Sequence, residues 1–236
     1  MVSNLGPNLN ENGLVLCLDA ANSKSYPGTG TTWFDLSVNK NNAEGINMPT
    51  FTTGANGQNC FDFENASNHY FETINNSPFS GSNFPITVST FISERSRRSY
   101  AGVLAQHDSA NQQCMAFISY AGRYGTDHWT PSGRQIDITP SLDTVYNVTW
   151  VVDDWTNHQA GTAIYLNGEL AASSATGSGN PTAALIADKF IIGNWLISRV
   201  DMDWDGQIYS ISVYDRALSA AEVKQNFNVM RGRYGL

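Results

Sequence analysis

Short segments of period-two alternation between apolar and polar residues recur along the chain, and they limit what it can fold into. The clearest case is 145–152. Tyr146, Val148, Trp150 and Val152 fall on one face, and Asn147 and Thr149 on the other. That is the pattern of a strand with one buried side. Segments 60–64, 70–74, 86–92, 103–106, 114–120, 135–139, 190–192 and 207–214 are expected as further strands, the last with Tyr209, Ile211 and Val213 on one side. Segment 14–18 is a short apolar run ending at Asp19. Segments 162–166 and 169–173 flank Asn167-Gly168, which supplies the two positive φ angles of a type I′ turn, so they are expected as a β-hairpin. About eleven short strands punctuated by Gly, Asn and Pro imply a sandwich or barrel.

One helix is signed, near the C-terminus. Ser219 is a good N-cap, and Glu222 three residues later completes a capping box. Leu218 and Val223 stand at hydrophobic-staple positions, and Val223 and Phe227 share a face that can dock on a sheet. No linker or internal repeat interrupts the pattern. A polar arm over 1–12 and one domain over 13–236 are expected.

Composition supports this reading. Charged residues are 14% of the 236, against roughly 25% in typical soluble domains, while Asn alone numbers 24. Polar loops suit that balance, whereas the surfaces of a helical bundle do not. Net charge is −8, and four of the 13 basic residues are Lys. Without a basic run, binding to nucleic acid through its phosphates is not expected. Neither is membrane insertion, for want of a basic amphipathic helix or an apolar run near 20 residues. The polar N-terminus does not read as a signal peptide. Cys17, Cys60 and Cys114 lack metal-site spacing, and buried reduced thiols are expected.

Three stretches carry a resemblance. The first runs from Gly13 through Asp19, Asn22, Trp33 and Asp35 to Asn41-Asn42, the second is Ala163 to Glu169, and the third runs from Trp204-Asp205-Gly206 through Tyr214-Asp215-Arg216 and Leu218-Ser219 to Arg231-Gly232-Arg233-Tyr234-Gly235. Together they resemble laminin-G-like, concanavalin A-like jelly-roll domains, most of all those of bacteriophage structural proteins. The resemblance implies an all-β antiparallel jelly-roll sandwich with one short C-terminal helix. The family's Asp-Leu-Ser-Gly-Asn-Gly-Asn motif departs here, with Val38 and Lys40 at its glycines. Val38 tolerates positive φ poorly, so that loop's geometry is open. Trp33 is expected to plug one end of the sandwich. Asp35, Asn41 and Asn42 are expected to bond turn backbone.

Four groups of residues are candidates for chemistry. Asp201, Asp203 and Asp205 alternate before Gly206, like the first half of a calcium loop, and Ca²⁺ is the candidate cofactor. The second half of such a loop is missing, and a polar turn is the reading that weighs against the metal. Tyr124, His128, Trp129, Trp155 and Trp195 lie in loop-like stretches where rings can stack on sugars, or else cap the sandwich ends. Arg95, Arg97 and Arg98 could grip an acidic glycan or sit solvated. Asp153-Asp154 is a second acidic pair.

No Gly-x-Ser-x-Gly elbow, Glu-x-Asp-x-x-Glu pattern or two-His zinc spacing is present, so an enzyme is not expected. The expected function is that of a non-enzymatic bacteriophage virion protein, made in the host cytoplasm and displayed on capsid or tail. Its lectin-like domain would bind glycans or a host cell-surface polysaccharide. Other virion proteins are expected partners, and a homo-oligomer is an open option. The rivals are a structural decoration or cement protein, a glycan-degrading enzyme and a cellular carbohydrate-binding protein.

Overall fold

The computed structural model describes residues 9–73, 85–107, 113–127, 134–135, 139–153, 161–172, 189–197 and 199–236. These form two antiparallel eight-stranded sheets and a C-terminal helix. The first sheet runs β14 (Glu169–Ala172), β13 (Thr162–Leu166), β12 (Val145–Val152), β7 (Ile86–Glu94), β16 (Gly206–Tyr214), β5 (Asn59–Phe63) and β4 (Thr50–Thr53), with β1 (Leu14–Asp19) also paired to β16. The second runs β11 (Arg134–Gln135), β10 (Arg123–Asp127), β9 (Gln113–Tyr120), β8 (Ala101–His107), β15 (Lys189–Ile192), β6 (Tyr70–Thr73), β3 (Ala43–Ile46) and β2 (Thr32–Trp33). Hairpin-connected strands form the flanks of both sheets, while the central pairings, β7 with β12 and β16 and β15 with β6 and β8, join strands far apart in sequence, as in a jelly roll. The expected fold class is thereby observed.

Alternation sets the main core. Val148, Trp150 and Val152 of β12 meet Ile86, Val88 and Ile92 of β7 and the inward residues of β8, β9 and β15. Trp33 is fully buried against Phe61, 4.7 Å between ring centroids, and Phe71 packs on both rings. Each such side chain contributes on the order of 1.5–3 kcal/mol by leaving water. The hairpin is as expected, with φ of 52° at Asn167 and 74° at Gly168.

One face assignment is corrected. The register of β16 shifts between Ile208 and Ser210, so Ile208, Ile211 and Val213 point into the sandwich while Tyr209 points out. A bulge inserts one residue and reverses the alternation after it. Tyr209 joins Cys60, Phe91, Phe227, Met230 and Tyr234 in a cluster beneath the helix and C-terminal tail.

That helix, α1 (Ala220–Met230), carries the expected capping box: Ser219 Oγ accepts from the Glu222 N–H, and the Glu222 carboxylate accepts from the Ser219 N–H. Leu218 and Val223 bury together, as a staple does. Residues 9–12 dock on the same region. The Asn10 N–H donates to Asn226 Oδ1 at 3.0 Å, and the Arg216 guanidinium bonds both the Asn12 carbonyl and Glu222. The end of the expected arm therefore packs against its own domain.

Asp35 organises the other end. Its carboxylate accepts from the N–H groups of Cys17, Ser37 and Asn41 and from Ser37 Oγ. Asn42 Oδ1 accepts the Asp35 N–H, and Asn41 Nδ2 donates to the Val15 carbonyl. The turn-bonding role is as expected. The left-handed residue of the loop is Lys40, φ 54°, whereas Val38 escapes positive φ.

Candidate functional site

The first sheet's outer face lies under α1 and the tail. The second sheet's outer face carries a different cluster, built from Ala105, Ala116, Ile118, Ile191 and Trp195, with half-buried Tyr70, Tyr100, Tyr120, Ile197 and Met202 around them. Pleating explains it: Ala105 opposes Ala116 and Ile191, and all three side chains point away from the main core.

Small residues at the centre let a loop settle there. A methyl group at Gly102 would lie 2.2 Å from the Trp195 backbone nitrogen, so the segment after β15 crosses β8 in direct contact. That segment is held by Trp195 N–H to Met202 O, Trp204 N–H to Gly193 O, and His107 Nε2 within 2.7 Å of the Trp195 carbonyl. Trp195 is thereby nearly buried, 8% exposed, with the Tyr100 ring 4.7 Å away and tilted 52° to it, and Tyr100 in turn packs on Tyr120 at 4.7 Å and 58°. The result is a row of three rings at the rim of the sheet. In the same crossing segment Arg199 pairs with Asp201, on which Arg98 also acts.

Of the five ring residues expected to contact ligand, Trp195 is in this row. Tyr124 is corrected: it sits on β10, 1% exposed, edge-on to Trp150 in the main core. The Gly-rich stretch around it is a strand whose even positions point inward. His128, Trp129 and Trp155 lie outside the described residues.

The three aspartates do not converge. Asp201 is exposed and pairs with Arg199. Asp203 is fully buried, accepting from the Asn68 N–H at 2.8 Å and Asn194 Nδ2 at 2.5 Å, and burial pushes its carboxyl up to about 6. Asp205 takes Arg95 at 2.8 Å and the Ser96 hydroxyl. Among the described residues no three His, Cys, Asp or Glu side chains come together as a metal would need. The residues therefore do not fit the expected Ca²⁺, because each carboxylate is spent on a separate structural contact.

The arginine cluster divides too. Arg95 bridges Asp62 and Asp205, and Arg97 donates to the Pro140 carbonyl at 2.9 Å. Asp153 closes the β12–β13 connection through its backbone, and Asp154 lies outside the described residues. Tyr100 and Tyr120 were missed by sequence reading. Their signal was present: 115–118 is apolar at every position, which means both faces of that strand are covered. A cavity of about 20 Å³ between β1, β16 and α1, lined by Cys17, Ser89, Ser212 and Asn226, has room for one water.

Similarities to known proteins agree with this architecture. A laminin-G family model described as the concanavalin A-like lectin/glucanases superfamily matches residues 65–224. No curated protein matches in sequence. Among solved structures, Trypanosoma rangeli sialidase in complex with the inhibitor DANA is similar over all of this chain at TM-score 0.66 and 15% identity. This chain spans 36% of that one, about a third. The binding domain of Paraclostridial Mosquitocidal Protein 1 is similar at TM-score 0.62 and 18% identity, over 92% of this chain and 52% of that one. The SAP-like pentraxin of Limulus polyphemus matches at TM-score 0.53 and 18% identity, over 66% and 73%. At these identities the likeness is one of fold. The family match covers well over half the sequence, and the chain belongs to the concanavalin A-like lectin/glucanases superfamily.

Proposed function

We propose that this domain is a non-enzymatic carbohydrate-binding module whose platform is the Tyr100–Tyr120–Trp195 row. The observation that carries the proposal is the row's position. It lies outside the sandwich, where the main core does not need it, and leaves Tyr100 and Tyr120 partly in solvent. Pyranose rings present C–H faces that stack on such rings, while the neighbouring charges can bond hydroxyls. The non-enzymatic part of the reading rests on the sequence, which carries neither a Gly-x-Ser-x-Gly elbow nor a Glu-x-Asp-x-x-Glu pattern. A toxin binding domain of the same fold supports a binding role.

The finer proposal is display on a bacteriophage particle, on capsid or tail, where many copies strengthen a weak single site. The resemblance of 13–42 and 204–235 to such domains supports it. Binding needs no calcium. A glycan array probed with calcium and then with EDTA tests the reading, followed by calorimetry on the hits. Hits that survive EDTA and weaken about tenfold or more in Tyr120→Ala are expected, a loss of about 1.4 kcal/mol. A silent array, or an unchanged affinity in the variant, would overturn the proposal.

A further inference from the structure

Three Asn-Gly pairs occur in the chain: Asn12-Gly13, Asn56-Gly57 and Asn167-Gly168. They lie before β1, between β4 and β5, and between β13 and β14. Such a pair is open to attack of its backbone nitrogen on the asparagine side chain, because glycine has no side chain to obstruct the approach. The reaction needs the Gly nitrogen and the Asn side-chain amide to be able to meet, and the fold treats the three pairs differently.

At Asn56-Gly57 both groups are held. The Gly57 N–H donates to the Gly54 carbonyl at 2.9 Å, and Asn56 Oδ1 accepts from the Gln58 N–H at 3.1 Å. At Asn167-Gly168 the side chain is held. Asn167 Oδ1 accepts from the Asn147 N–H at 2.9 Å, and the turn sits on Phe227, whose ring would lie 2.8 Å from a Cβ at Gly168. At Asn12-Gly13 no described residue engages either group. Asn12 is exposed, and the bonds there go to other atoms: the Asn12 N–H donates to Asn10 Oδ1 at 3.1 Å, and the Asp215 N–H donates to the Gly13 carbonyl at 2.9 Å. The remaining bond favours the reaction. Arg216 Nε–H donates at 2.9 Å to the Asn12 carbonyl, the oxygen of the same peptide group whose nitrogen must lose its proton. The charge of that deprotonated amide spreads onto its oxygen, where a cationic donor stabilises it.

We infer that Asn12 is a site of spontaneous covalent modification, at which the Gly13 nitrogen closes on Asn12 Cγ and the asparagine becomes aspartate or isoaspartate. The new C–N bond expels the side-chain amide nitrogen, which takes the Gly13 proton and leaves as ammonia. One water then opens the cyclic imide, at Cγ to give aspartate or at the main-chain carbonyl to give isoaspartate, and no oxidant or reductant is needed. Isoaspartate lengthens the main chain by one atom and adds a carboxylate where Glu11, Asp215 and Glu222 already stand. The bonds of Asn10 to Asn226 and Glu222 lose their register, so segment 9–12 comes away from α1.

The test is peptide-mapping mass spectrometry of the native chain ageing at neutral pH, beside a sample in denaturing urea. The readout at each pair is the exchange of an amide NH₂ for OH. In the native chain Asn12 is expected to convert about tenfold or more faster than Asn56 and Asn167, the factor that one or two hydrogen bonds set. In urea the three are expected to converge, because the distinction is made by the fold. Asn12→Gln is expected to remove the fast conversion. Hydrogen exchange in a peptide spanning residues 9–14 is expected to quicken in the isoaspartate fraction. Asn12 intact in the native chain while the urea sample converts, Asn56 or Asn167 converting as fast as Asn12, the same preference in urea, or unchanged exchange in the isoaspartate fraction would each overturn the inference.

Discussion

A single methyl group at Gly102 tests how the aromatic row is built. In Gly102→Ala the new Cβ would stand 2.2 Å from the Trp195 nitrogen, 2.4 Å from the Asn194 carbonyl carbon and 2.5 Å from the Trp195 Cα. Ordinary contact begins near 3.4 Å, so backbone atoms must retreat by about 1 Å. Gly102 does not have positive φ, so backbone strain adds nothing. Overpacking costs about 1–3 kcal/mol, and a clash with backbone belongs at the upper end. For a chain of this size each kcal/mol lowers Tm by about 2–4 °C, giving a drop of roughly 6–12 °C. Thermal melts followed by near-ultraviolet circular dichroism would read both the drop and the displaced Trp195. Gly232→Ala is the control: nothing lies within 4 Å of its Cβ, and the change is expected to stay within about 0.5 kcal/mol. A Gly102→Ala protein that melts within about 2 °C of wild type with an unchanged aromatic signal would refute the seating of this loop on β8.

Four further outcomes follow from the buried and paired groups. Glu222 is held at about 2 by Arg216 and by the Ser219 N–H, against 4.5 ordinarily, so its stabilisation is full above 4.5 and is lost as pH falls toward 2. Glu222→Gln should flatten the acid limb of urea melts and cost under about 1 kcal/mol at pH 7, since the pair is partly solvated. Asp203 has the opposite sign: raised by burial from 3.8 to about 6, it takes stability away as pH rises through that window, and Asp203→Asn should abolish that slope. Asn194 Oδ1 has no partner among the described residues and can turn to meet the new amide. Burial pushes the thiols of Cys17 and Cys60 up to about 12, so alkylation at pH 8 followed by mass spectrometry should label both only after denaturation. Arg95→Ala leaves Asp205 nearly buried without its cation and should cost about 1–3 kcal/mol in chemical denaturation.

What was legible in the sequence was local. The Asn167-Gly168 turn and the Ser219–Glu222 capping box need only neighbours in sequence, and both stand as read. The strands of 86–92 and 145–152 followed from period two because one face of each is buried. The bulge at Tyr209 was not legible, since inserting one residue leaves the composition unchanged while it reverses the faces. Tyr124 read as a loop residue because Gly and Pro around it outweigh a two-position inward pattern. The three aspartates looked like metal ligands because nothing near them in sequence announces Asn68, Asn194, Arg95 and Ser96, which arrive from up to 135 residues away. The aromatic row was hidden for the same reason: Tyr100, Tyr120 and Trp195 meet through sheet pairing and one crossing loop.

The most direct test of that row as a glycan platform is a nuclear magnetic resonance titration of the wild-type chain with a saccharide identified by the array. Amide and aromatic shifts are expected to move at Tyr100, Ile118, Tyr120 and Trp195, with α1 and the outer face of β16 unmoved. Shifts confined to the α1 side, or a saccharide that binds without moving Tyr100, Tyr120 and Trp195, would contradict the account.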